Sequence, residues 1–198
     1  TVLVGGSAAQ GVDTKASLGA RLPWAIGIIA LSTAVLLFLF TGSVVVPVKA
    51  LVLNLLSLSA TFGAMVWVFQ DGHLSGLLGF TPTGSLEMSI PILMFCIAFG
   101  LSMDYEVFLL SRIKEEYDRT GDNALAVQLG LQRTSGIVTA AAGLLAIIFI
   151  AFGSSGVTTI KLMGVGVALA ILMDATLVRG LLVPAFMTWQ QRIMWWAP

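Results

Sequence analysis

One histidine and one cysteine stand among the 198 residues, and that scarcity removes whole classes of chemistry. A protein-only zinc site needs more nitrogen and sulfur ligands than these two can supply. No Ser-His-Asp or Cys-His spacing is present, and no glycine-rich loop is followed by a lysine to cradle nucleotide phosphates. Cys96 sits alone in an apolar run, so a disulfide framework within the chain is excluded. Charge is equally sparse. Only 10% of residues are charged, against roughly a quarter in an ordinary soluble domain. The net charge is zero, which leaves no basic surface for a nucleic acid. No enzyme is expected, and no cofactor or metal.

What the chain does have is apolar length. Hydrophobic residues make up 58% of it, the composition of an integral membrane protein. Five stretches are long enough to cross a hydrocarbon layer, which takes about 20 helical residues. They fall at about 22–46, 47–69, 89–110, 135–152 and 159–189, an all-α transmembrane bundle. Pro23 reads as a helix-start proline, and Pro91 stands in a first turn. Residues 1–20 read differently. A strand-like TVLVGG leads into a Gly/Ser/Ala linker and then Asp13-Thr14-Lys15, the expected end of an extramembrane domain.

Loop charges set the expected orientation. Lys49, Arg112, Lys114, Arg119, Arg133 and Arg192 fall on one side if the spans alternate. The other side has the 70–87 loop, which lacks Lys and Arg, together with Lys15, Arg21 and Lys161. The positive-inside rule assigns the first set to the cytoplasm, so the N-terminal end is external and the 193–198 tail cytoplasmic. Trp195 and Trp196 fit an interfacial anchor there. The cytoplasmic segment 111–134 alternates charge signs and is broken at Gly121-Asp122-Asn123. It reads as an extension of the third span, a turn, and a short amphipathic helix on the membrane surface. Docking of a cytoplasmic partner is the alternative.

The third span carries Asp104, Tyr105 and Glu106 in a row. An acid deep in the membrane costs roughly 2.5–3.5 kcal/mol on insertion scales, so it must face a bundle interior, a partner or an ion path. Gly100, Asp104, Phe108 and Ser111 share one face, with Tyr105 about 100° away. A carboxylate and a phenol on adjoining sectors can pass a proton; the plainer reading is a polar cluster that locks helices together. Glu106 lies nearly opposite Asp104 and is expected to reach the interface. On the fifth span Asp174 and Arg179 are about 140° apart on an α-helix, so they are not expected to pair. Arg179 is expected instead to meet Asp104 or Glu106 across a helix interface. The fourth span repeats small residues at Ser135, Thr139 and Gly143 and at Gly136 and Ala140, a close-packing pattern. Ser135 and Thr139 are also placed to support a relay. Gly164 and Gly166 read as packing positions, Asn54 as interhelical glue, and His73 as a surface-loop residue.

Several runs resemble a known family. GLSMDYEVFLLSRIKEEY at 100–117 looks like the tenth transmembrane helix and following cytoplasmic segment of the MMPL (mycobacterial membrane protein large) transporters, a branch of the resistance-nodulation-division superfamily. LMDATLVRGLLVPAFM at 172–187 is similar to that family's twelfth helix. TGSVVVPVKALVLNLLSLSA at 41–60, VFQDGHLSGLLGFTPTG at 68–84 and the closing Trp195-Trp196-Ala197-Pro198 extend the likeness over nearly the whole chain. The resemblance implies a twelve-helix transporter of the bacterial inner membrane, of which this chain is helices eight to twelve. It implies proton-driven export of lipids or hydrophobic drugs, with protons as the coupling ion. Asp104 and Tyr105 match one Asp-Tyr pair of the relay, and the N-terminal half supplies the other. Glu106, Asp174 and Arg179 are the supporting charges, with Gly100, Ser135 and Thr139 beside them. Expected partners are that half, membrane lipids, a lipid-like substrate and accessory proteins. A non-transporting membrane scaffold is the alternative reading, and a channel ranks below it.

Overall fold

The computed structural model describes residues 7–80 and 89–189, and the secondary structure among them is helical. Helix α1 (Ser7–Thr41) begins well before the expected boundary at 22. Residues 7–20, expected as a linker, are its first turns, because alanine and leucine there outweigh Gly11 and Gly19. Pro23 therefore lies inside α1 instead of starting it. The strand-like residues 1–6 and the tail with Arg192, Trp195 and Trp196 lie outside the described residues. The end of α1 is closed by Thr41, whose hydroxyl donates to the Leu37 carbonyl at 2.8 Å. Gly42 follows at φ +66°, the left-handed position that only glycine takes without strain.

Helix α2 (Val45–Met65) widens into a π-helical turn over Val66–Gln70. The short α3 (Ser75–Leu78) precedes α4 (Ser89–Thr120). Gly121, at φ +71°, ends α4, and Asp122 caps α5 (Asn123–Gly153) by accepting from the Ala124 and Leu125 N–H groups. The separate amphipathic surface helix expected after this turn is instead the beginning of α5. One continuous winding at once satisfies the backbone and buries Asn123, Ala126, Val127 and Gly130. The last span runs through α6 (Thr158–Met173), a π segment Asp174–Leu182 and α7 (Val183–Trp189). Pro184 accounts for the widening. A proline lacks the N–H that would bond the carbonyl four residues earlier, and a local π adjustment re-pairs such a group inside a membrane helix.

Among the described residues, five helices are long and apolar enough to cross a membrane: Gly11–Thr41, Val45–Gln70, Ser89–Thr120, Asn123–Gly153 and Thr158–Thr188. The last is the most buried and packs against α2, α4 and α5. Glycines set the closest approaches. A Cβ at Gly130 would meet Ile113 Cγ1 at 2.5 Å, and one at Gly164 would meet the Phe149 carbonyl at 2.6 Å. Gly166 faces Met94 and Met65, so Gly164 and Gly166 are packing positions as expected. One apolar cluster, with Leu37, Val46, Ile113 and Met187, surrounds the α4–α5 turn end. A second, with Met65, Phe69, Met94 and Val167, fills the other end. Ser102, Glu106, Asp174 and Arg179 lie between the two along α4 and the last span, and all four are buried.

Candidate functional site

The π segment builds the centre of the site. Its hydrogen bonds run i→i+5, so a residue five positions on returns to roughly the same face. Asp174 and Arg179 are five apart, and the Arg179 Nη2 lies 2.7 Å from Asp174 Oδ2. This corrects the α-helical expectation that they point apart. It also replaces the expected pairing of Arg179 with Asp104 or Glu106: its ion pair is within its own span. Both side chains are almost fully enclosed, at 5% and 11% exposure.

α4 completes the arrangement. Ser102 Oγ donates to Asp174 Oδ1 at 2.7 Å, and the Ser102 carbonyl accepts from Arg179 Nη2. The Arg179 guanidinium stacks over the Tyr105 ring, 4.9 Å from its centroid. Glu106 was expected to reach the interface but is buried, in the field of Arg179, Asp174 and Lys49. Two acids and Arg179 therefore share one buried layer, with the half-buried Lys49 beside it. Arg179 Nη1 is enclosed and has no hydrogen-bond partner among the described residues. It borders a cavity of about 110 Å³ lined also by Thr134, Ser135, Thr139 and Gly180.

Asp104 is placed differently. It is exposed on the outer surface of the five helices, while Tyr105, its neighbour, is half-buried beneath Arg179. Ser135 and Thr139 are exposed too. Among the described residues, none approaches Gly100, Gly136 or Gly143 closely enough to meet an added Cβ. Among the described residues, the glycines of the small-residue pattern of α5 thus make no close approach, unlike Gly130 and Gly164. Asn54, expected as glue, is buried with neither side-chain atom hydrogen-bonded among the described residues. His73 is exposed as expected, its ring stacked on Trp67 at 4.5 Å and its Nδ1 3.0 Å from the Trp67 carbonyl.

Three contributors, Ser102, Lys49 and Glu116, escaped sequence reasoning. Ser102 lies four residues before Glu106 and shares the buried face of α4 with it, Leu109 and Ile113, a periodicity that could have singled it out. Lys49 reads as a boundary charge, yet it sits beside the Phe186 ring at 5.6 Å and in the field of Glu106. Glu116 reads as a solvated charge, yet it is buried and holds Arg119 at 2.6 Å and also Arg133 of α5. Among the described residues, no three His, Cys, Asp or Glu side chains gather as a metal site.

Five apolar helices around a buried layer of charged side chains define a multi-pass membrane protein. Its family follows from comparison: the MMPL family model matches residues 1–198, and the chain belongs to that family. It is 51% identical over its full length to a putative membrane protein of Streptomyces coelicolor, covering 28% of that protein. It is 42% identical to the trehalose monomycolate exporter MmpL3 of Mycobacterium tuberculosis, again over its full length and covering 21% of the exporter. It is 39% identical to the mycolic acid-containing lipids exporter MmpL11 of Mycolicibacterium smegmatis, with the same coverage of 100% and 21%. The chain thus spans between a fifth and three-tenths of these relatives.

Proposed function

We propose that this chain is the C-terminal transmembrane half of a twelve-helix exporter of lipids or other amphipathic molecules, driven by protons crossing the bacterial inner membrane. The observation that carries the reading is Asp104, an acid on the outer surface of a membrane-spanning bundle. Left facing hydrocarbon it would cost roughly 2.5–3.5 kcal/mol. A second set of helices seated on that face removes the cost and brings a facing Asp-Tyr pair to it. The small, uncontacted surface at Gly100, Gly136 and Gly143 suits such close seating. The names of the mycobacterial relatives support lipid export as the task.

In this reading Asp104 takes up and releases the coupling proton, and Tyr105 hands it on or orients it. Tyr105 lies under Arg179, and Arg179 ties the last span to the Ser102 carbonyl of α4. A change of charge at Asp104 therefore acts one residue from the contacts that hold α4 to the last span. Altering those contacts rocks the two halves against each other. One charge crossing the full potential supplies ~2.3 kcal/mol per 100 mV. The end carrying Lys49, Arg112, Lys114, Arg119 and Arg133 faces the cytoplasm, and the N-terminal end faces the periplasm. Partners in this reading are the N-terminal half, lipids and accessory proteins; no cofactor besides the proton enters.

The test is proton-dependent lipid export by the full-length protein in inverted vesicles, comparing wild type with Asp104→Asn and Tyr105→Phe at matched expression. Loss of export in an intact Asp104→Asn protein is expected. Export persisting with unchanged proton dependence would make Asp104 structural and put the relay elsewhere.

A further inference from the structure

The start of α2 carries a groove that the proposed relay does not use. Val44, Val45, Val48, Lys49, Val52 and Phe186 line a cavity of about 340 Å³. That volume lies within the range of small-molecule sites. From Val44 to Leu53 the groove follows α2 for about 14 Å at 1.5 Å per residue. Val48 and Val52 are more than half exposed, so it opens outward from the five helices. The walls are apolar, and the charged group among them is the Lys49 ammonium, half-buried beside the Phe186 ring. Lys49 stands in the first turns of a span, at the same end as Arg112, Lys114, Arg119 and Arg133, where headgroups of one leaflet lie.

We infer that this groove binds an anionic phospholipid of that leaflet, its acidic headgroup on Lys49 and one acyl chain along Val48 and Val52. Charge decides the occupant. A zwitterionic headgroup would bring its own ammonium close to Lys49, whereas an anionic one adds no like charge. A basic group between membrane helices with an apolar wall below it is the arrangement that recognises acidic lipid headgroups. Lys49 also acts electrostatically on Glu106 of the buried layer, so an acidic headgroup competes with Glu106 for the same ammonium. This site stands independently of the proton relay, since it does not depend on Asp104.

Native mass spectrometry of the full-length protein tests it, with phosphatidylglycerol, phosphatidylcholine of the same chains, and inorganic phosphate as separate additions. Wild type is expected to retain phosphatidylglycerol about fivefold over phosphatidylcholine, the ratio one lysine near a charged surface carries. Phosphate alone is expected to leave no adduct. Lys49→Gln removes the preference, and Val48→Phe lowers retention by filling the groove from an exposed position without touching the core. Equal retention of the two lipids by wild type overturns the inference. So does binding of phosphate alone, or phosphatidylglycerol retention unchanged by either variant in folded protein. If Lys49→Gln fails to fold, Val48→Phe decides.

Discussion

Replacing Arg179 by alanine probes the buried layer most directly. The substitution leaves the Asp174 carboxylate enclosed, with the Ser102 hydroxyl as its remaining donor among the contacts described. Removing one partner of a buried pair destabilises by about 3–5 kcal/mol, because the remaining charge is stranded away from water. At a factor of ten per 1.4 kcal/mol, the folded-to-unfolded ratio falls by roughly two to three and a half orders of magnitude. Asp174→Asn strands Arg179 in the same way, though Glu106 shares that charge. The double variant removes both ions, so its loss is expected to be about 2–3 kcal/mol smaller than the sum of the single losses. Arg179→Lys should recover only part, since a lysine cannot at once pair with Asp174, reach the Ser102 carbonyl and stack flat on Tyr105. Equilibrium unfolding of the full-length protein in mixed micelles measures all four species. Single losses that add to within about 0.5 kcal/mol would refute the pairing and the π geometry that creates it.

Four further outcomes follow from the same structure. Pro184→Ala restores the missing N–H and lets the last span close as an α-helix, so the Asp174–Arg179 coupling in that cycle should fall by more than half. Gly130→Ala drives a methyl into Ile113, with backbone Cα at 3.1 Å as well as side chain, and should destabilise by about 1–3 kcal/mol. Gly136→Ala meets nothing among the described residues, so if it impairs export without lowering the stability of the isolated bundle, the face it lies on is covered by other helices. Asp122→Ala removes the cap that accepts from Ala124 and Leu125 and should cost about 1 kcal/mol in unfolding experiments.

The five spans are legible because backbone hydrogen bonding in hydrocarbon leaves a helix as the local answer for a long apolar run. Their ends are less so. The Gly121-Asp122 turn is visible as a left-handed glycine followed by a capping acid. The start of α1 is not, since alanines and glycines over 7–20 are compatible with either linker or helix. Family membership is legible in the DYEVFLLSRI and LMDATLVRGLL runs, where specific polar residues interrupt apolar ones.

The side chains of the charge layer divide the same way. That Asp104 and Glu106 face opposite ways follows from their spacing of two on a helix. Which of them turns inward does not: packing of α4 on α5 and the last span buries Glu106 and leaves Asp104 outside. The pairing of Asp174 with Arg179 needs a helix wound i→i+5, and Pro184 prompts that winding only within a span whose neighbours hold the widened turn. The sequence by itself determined how many helices cross the membrane and which charges they carry into it, because those depend on local hydrophobicity and backbone bonding. The tertiary structure decided which charges meet, because contact depends on the rotation and winding of each helix against its neighbours.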